Sequence, residues 1–185
     1  MVQDEVRWVL ETIAEEWPVP PQAAVYGTEY GTIYSTDTGG FADEDVVRID
    51  RDEPEVLETG KRTKAVELTQ TASIGVSEGD RPREPIGTEF HYDIETVLNV
   101  RIEAAHAAIH GTVDSKSEFR RLVRYTQAAI SADRTYPSIE ADDHVGLIHY
   151  EDARIENEQS LSHEHGDYFR TDFDVRLTGK QDPDS

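Results

Sequence analysis

Hydrophobic and polar residues alternate most strictly from Glu89 to Glu103, EFHYDIETVLNVRIE. Phe90, Tyr92, Ile94, Thr96, Leu98, Val100 and Ile102 share one parity. His91, Asp93, Glu95, Asn99, Arg101 and Glu103 share the other, where Val97 is the only apolar member. A period of two predicts a strand with one buried and one wet face. At ~3.3 Å per residue it would span roughly 45 Å, well beyond the usual strand of about five or six residues. That reach predicts a sheet that continues past its own core toward a partner.

The same reading orders the rest of the chain. Over 3–17, Val6, Val9, Leu10, Ile13, Ala14 and Trp17 follow helical spacing, with Asp4 and Glu5 in the first turn and Pro18 as a stop. Trp8 lies off that stripe, as a contact residue or a partly buried flank. Residues 23–35, AAVYGTEYGTIYS, read either as a strand with a bulge or as a loop that packs its tyrosines. DVVRID (45–50) is a short strand, and the charged RDEPEVLETGKRT that follows is a loop. AVELTQTASIGVS (65–77) alternates and pairs with the long strand. The polar EGDRPREPIGT (78–88) between them forms the tip of an extended hairpin.

A second helix is predicted within 112–137. Phe119, Leu122, Val123, Thr126, Ala129 and Ile130 form its stripe, Arg120, Arg121 and Arg124 lie off it, and Ser115 with Glu118 has capping-box spacing. Two closing strands follow: VGLIHYEDARIE (145–156) and YFRTDFDVRLTG (168–179), with ENEQSLSHEHGD as a polar loop between them. The expected fold is α+β: a twisted, mostly antiparallel sheet with a long β-hairpin and two α-helices packed on one face. Residues 1–179 are expected to form a single domain, and 180–185 a disordered tail.

Charge changes the picture more than any motif. The 185 residues carry 39 acidic and 18 basic side chains, a net charge of −21. Only Lys61, Lys64, Lys116 and Lys180 are lysines; the other basic residues are arginine. This field opposes binding to nucleic acid or to an anionic membrane. The acidic residues are spread along the chain rather than gathered in a block, which favours adaptation to concentrated salt over a single basic-partner site. The chain has no cysteine, which excludes disulfides and thiolate metal sites. The acidic N-terminus does not read as a signal peptide, and no apolar run matches a membrane span. A soluble, intracellularly made protein is expected.

Sites for chemistry are sparse. His106 and His110 have i, i+4 spacing, but Ala107 stands where the helical zinc motif needs its glutamate. His163 and His165, with Glu164 and Asp167 and with His144 and His149 as possible neighbours, form a denser cluster; a metal-binding enzyme built on it is the alternative reading. There is no nucleophile elbow and no phosphate loop. With acidic residues everywhere, no one carboxylate pair singles itself out for acid–base catalysis. No catalytic residue, cofactor or metal site is assigned, and the chain is expected not to be an enzyme.

The order of elements resembles the tail terminator proteins of long-tailed bacteriophages and tailed haloarchaeal viruses. The matching pieces are VRWVLETIAEEW, KAVELTQTASIGVS, TEFHYDIETVLNVRIEA, SKSEFRRLVRYTQAAIS and, most family-like, the ending DYFRTDFDVRLTG. The resemblance covers most of the chain from Glu5 to Gly179, although 18–64 is long for that family. It implies a virion structural protein at the head-proximal end of the tail, assembled in the host cytoplasm. There it would form a homo-oligomeric ring, commonly of six copies, that ends the tail tube and joins it to the neck. Its partners would be itself, a tail tube protein and a neck or connector protein, with the genome passing through the lumen without specific binding. Another neck protein, for head completion or as an adaptor, is the near variant. A host-derived interaction domain of halophiles is a third class. On this reading Asp80, Arg81, Arg83, Glu84 and Ile86 of the hairpin contact the next subunit.

Overall fold

A computed structural model describes residues 4–17, 23–26, 30–34, 46–51, 71–79, 83–85, 92–105, 116–132, 135–140, 146–161 and 168–182. Its elements in order are α1 (Glu5–Glu15), β1 (Ala23–Tyr26), β2 (Tyr30–Tyr34), β3 (Val46–Arg51), β4 (Thr71–Glu78), β5 (Arg83–Pro85) and β6 (Tyr92–Ala105). Then come α2 (Lys116–Ile130), β7 (Ser138–Glu140), β8 (Leu147–Ser160) and β9 (Tyr168–Asp182). The strands form one sheet in the order β1-β2-β3-β4-β6-β9-β8-β7, with β5 paired to β6 beyond the end of β4. All neighbours are antiparallel except β3 and β4, which run parallel. The fold is α+β, as the alternation and helix stripes predict.

The apolar parity of the central strands is the floor of the core. Ile74 and Val76 of β4, Ile94, Leu98, Val100 and Ile102 of β6, and Phe173, Val175 and Leu177 of β9 are buried. The helices supply the lid. On α2, every residue of the predicted stripe from Phe119 to Ile130 is buried, and Phe119 stacks on Phe169 with centroids 5.3 Å apart. Thr126 satisfies its hydroxyl by donating to the Leu122 carbonyl at 2.9 Å, the local bond that lets a threonine sit buried in a helix.

Helix α1 begins at Asp4, whose Oδ1 accepts from the Arg7 backbone N–H at 2.7 Å. This is the N-cap bond that satisfies one of the helix's orphan donors. The same carboxylate accepts from the Arg51 guanidinium at 2.7 and 2.8 Å, which ties the start of α1 to β3. The helix is buried more broadly than its stripe predicts. Trp8 is only 5 % exposed and lies against Tyr136 at 6.0 Å, so it belongs to the core and is not a free contact residue. Glu5 sits in the first turn as expected and is 2 % exposed there.

Four places differ from expectation. First, β1 and β2 pair antiparallel, with Tyr26 opposite Tyr30. Second, β8 runs on through Glu156–Ser160, which the sequence reads as loop. Register shifts at Tyr150/Asp152 and at Glu156/Gln159 each insert one extra residue, so the alternation breaks while the pairing continues. Asn157, at the second shift, has φ 54, a left-handed conformation that asparagine tolerates better than most residues. Third, Lys180–Asp182 are not a disordered tail: they pair with β8 and, at Lys180 and Gln181, with Asp93 and Tyr92 of β6. Gln181 is 2 % exposed. Backbone pairing holds residues that hydropathy alone assigns to solvent. Fourth, β7 has no forecast and borders β8 only over Leu147–His149.

Candidate assembly surfaces

Pairing within the hairpin runs further toward its tip than the sequence predicts. Strand β4 pairs with β6 as far as Glu78 opposite Leu98. After a break at Gly79, β5 resumes the pairing, with Arg83 opposite Ile94, Glu84 opposite Asp93 and Pro85 opposite Tyr92. An added Cβ at Gly79 would meet the Val97 carbonyl oxygen at 2.3 Å, so glycine is what allows the chain to pass there. Of the five hairpin candidates, Arg83 and Glu84 are therefore part of the sheet, while Asp80, Arg81 and Ile86 lie outside the described residues. Among its described residues, strand β6 does not run free of the sheet. It is flanked along its whole length by β9, from Tyr92 opposite Gln181 to Ala105 opposite Tyr168.

The second parity of β4, β6 and β9 carries a lattice of charges in register. Ser73, Glu103 and Arg170 form one row, and Gly75, Arg101 and Asp172 the next. Arg101 donates to Glu103 and, at 3.2 Å, to the Ser73 hydroxyl. Arg170 grips Asp172 with two bonds of 3.0 and 2.9 Å. Further along, Arg176 pairs with Glu95 on one neighbouring strand and, at 2.8 Å, with Glu156 on the other. The wet face expected from alternation is wet only in part: Arg101, Glu103 and Arg170 are fully buried. Burying such pairs adds little net stability, but losing one partner is costly, so they fix register more than they strengthen the fold. The sequence shows the alternation; the burial follows only from the tertiary fold.

A second buried polar chain crosses the core. The Tyr150 hydroxyl donates to Glu5 Oε1 at 2.5 Å and lies 2.7 Å from the Thr96 hydroxyl. Tyr150 stands opposite Gly179 on β9, and its hydroxyl reaches Thr96 on β6, one strand further. It ties α1 to two strands and gives the buried Glu5 carboxyl a hydrogen-bond donor.

The outer edge of β8 is guarded. Beyond β7's three residues, Tyr150–Ser160 have no outer strand among the described residues. That edge carries both register shifts and the charges of Glu151, Asp152, Arg154, Glu156 and Glu158. Bulges and charge discourage edge-to-edge pairing, so this edge is poorly suited to adding a strand from another chain.

The remaining surfaces are depressions lined by polar residues. One of about 400 Å³ is lined by Asp93, Glu95, Glu151, Thr178 and Lys180. Another, of about 420 Å³, runs between α1 and the segment before β7. Trp8, Tyr136 and Pro137 line it together with Glu11, Glu15 and Glu16. Among the described residues no three His, Asp or Glu side chains converge as a metal site. His106, His110, His144, His163, His165 and Asp167 lie outside those residues. His149 is exposed, with Nδ1 2.7 Å from the Ser138 hydroxyl. No helix among the described residues is long and apolar enough to cross a membrane. No protein-family model matches the chain, and no curated protein matches it.

Proposed function

We propose that this protein is a virion assembly protein of the head–tail junction, a ring-forming subunit that ends the tail tube and presents a surface to the capsid neck. The observation that carries the reading is the order of elements. A leading helix, a set of strands, a long central strand, a second helix and a closing hairpin follow in the order of the tail terminator proteins that the sequence resembles. Rigid architecture suits such a role: the long β6 is locked between neighbours, and its charge lattice resists a slip in register. A net charge of −21 suits a lumen through which DNA passes without sticking. Because the β8 edge is guarded, subunits would not meet by adding a strand there.

The test is location. In purified particles of the virus that encodes this chain, antibody-linked gold should mark one ring at the head-proximal end of the tail. Its absence from purified particles would overturn the reading.

A further inference from the structure

Helix α2 carries an anomaly that the ring reading does not explain by itself. Its buried stripe leaves a solvent face on which Lys116, Arg120, Arg121 and Arg124 are all exposed. Elsewhere, cations whose side chains are described sit beside carboxylates: Arg7 with Glu11, Arg51 with Asp4, Arg101 with Glu103, Arg154 with Asp152, Arg170 with Asp172, Arg176 with Glu95 and Glu156, and Lys180 near Glu151. The four on α2 have no side-chain partner among the described residues. In a chain with more than twice as many acidic as basic residues, four unpaired cations on one helix face stand apart from the general salt-adapted surface.

Their placement also works against the helix. Lys116 and Arg120, and again Arg120 and Arg124, are like charges at i, i+4, which repel across one turn. Lys116, Arg120 and Arg121 lie in the N-terminal half, the first of them at the end where the helix dipole favours anions. A local choice that opposes its own element points to a use outside the fold.

We infer that this ridge docks on the acidic groove of a second copy of the chain. The groove beside α1 has the complementary chemistry. The half-buried Tyr136 offers a ring on which a guanidinium can lie, and Glu15 and Glu16 are exposed carboxylates without side-chain partners among the described residues. Arginine suits this site better than lysine, because its planar fork meets a carboxylate with two bonds and stacks on aromatic rings. Ridge and groove are different residues on different helices, so the contact is of the kind that closes a ring when it repeats with the right rotation. The inference deepens the proposed ring by naming its contact, and so rests on that reading.

The other polyanion that an arginine ridge could meet is nucleic acid, and salt separates the two. Two copies at −21 repel at long range, and this repulsion collapses as the Debye length falls from about 10 Å at 0.1 M salt to about 3 Å at 1 M. Contact pairs are screened less, so self-association should strengthen over that range. Phosphate binding driven by counterion release would weaken steeply instead.

The experiment is a charge exchange read by sedimentation in molar salt. One variant carries Arg120→Glu with Arg124→Glu, the other Glu15→Lys with Glu16→Lys. All four positions are exposed, and in the first variant attraction between Lys116 and position 120 replaces their repulsion while the pair 120/124 stays like-charged, so circular dichroism melts should match wild type. Each variant alone should self-associate at least about tenfold more weakly than wild type, and a one-to-one mixture should recover association, because each then meets opposite charge. Wild-type oligomers that both variants form undiminished would overturn this contact while leaving a ring by another surface standing. Wild type that stays monomeric would overturn both. Tighter binding of a fluorescent duplex DNA oligonucleotide to wild type than to the α2 variant, falling with salt, would assign the ridge to nucleic acid and overturn the inference.

Discussion

Removing one hydroxyl tests how the core holds α1 against the sheet. The Tyr150 oxygen lies 2.5 Å from Glu5 Oε1 and 2.7 Å from Thr96 Oγ1, with all three residues at most 5 % exposed. Tyr150→Phe keeps the ring and its packing and deletes the hydroxyl that makes these bonds. A hydrogen bond to a charged group contributes about 1.5–3 kcal/mol, and one between neutral groups about 0.5–1.5 kcal/mol. Leaving Glu5 and Thr96 short of this partner should therefore cost roughly 2–4 kcal/mol. For a chain of this length each kcal/mol lowers Tm by about 2–4 °C, so a fall of roughly 5–15 °C is expected. Urea unfolding followed by circular dichroism in molar salt gives the free energy directly. A double-mutant cycle with Glu5→Gln should return a coupling of about 1 kcal/mol or more. A Tyr150→Phe protein within about 0.5 kcal/mol of wild type would refute the reasoning.

Three further outcomes follow from charge and geometry. Gly179→Ala should destabilise the fold by about 1–3 kcal/mol, because its Cβ would meet the His149 carbonyl oxygen at 2.2 Å and Tyr150 Cα at 2.7 Å; equal urea midpoints would show that the register shift there relaxes freely. Wild-type Tm should be markedly higher in molar salt than in dilute buffer, since a net charge of −21 repels itself as screening weakens; equal values would remove the salt-adaptation argument. Purified protein should carry no stoichiometric metal, with His163→Ala plus His165→Ala folding as wild type does; one zinc per chain, lost in that double variant, would revive the metal-enzyme alternative.

What the sequence discloses about the fold follows from how regular each element is. Strand β9 and the α2 stripe are legible because one periodicity runs unbroken through them: Phe169 to Leu177 at every second position, Phe119 to Ile130 on one helical arc. Strand β8 is legible only to Glu156, because its two inserted residues shift the phase, and a shifted alternation in Glu156–Ser160 looks like a loop. Lys180–Asp182 escape notice because their pairing is made by backbone groups, which hydropathy does not register. The polar parity of β6 is visible as charge, but its burial at Arg101 and Glu103 depends on contacts far away in sequence. The surfaces divide in the same way. Arg120, Arg121 and Arg124 are visibly off the stripe in the sequence, whereas their want of carboxylate partners among the described residues emerges only on folding. The hairpin of 78–88 draws attention by its prolines and charges, yet Arg83 and Glu84 turn out to continue the sheet.

The account rests on self-assembly, and the mass of the purified protein in molar salt tests it most directly. Sedimentation equilibrium should give one closed oligomer of several 20.9 kDa chains, seen as rings of uniform diameter by negative-stain electron microscopy. A single 20.9 kDa species at every protein and salt concentration would contradict it.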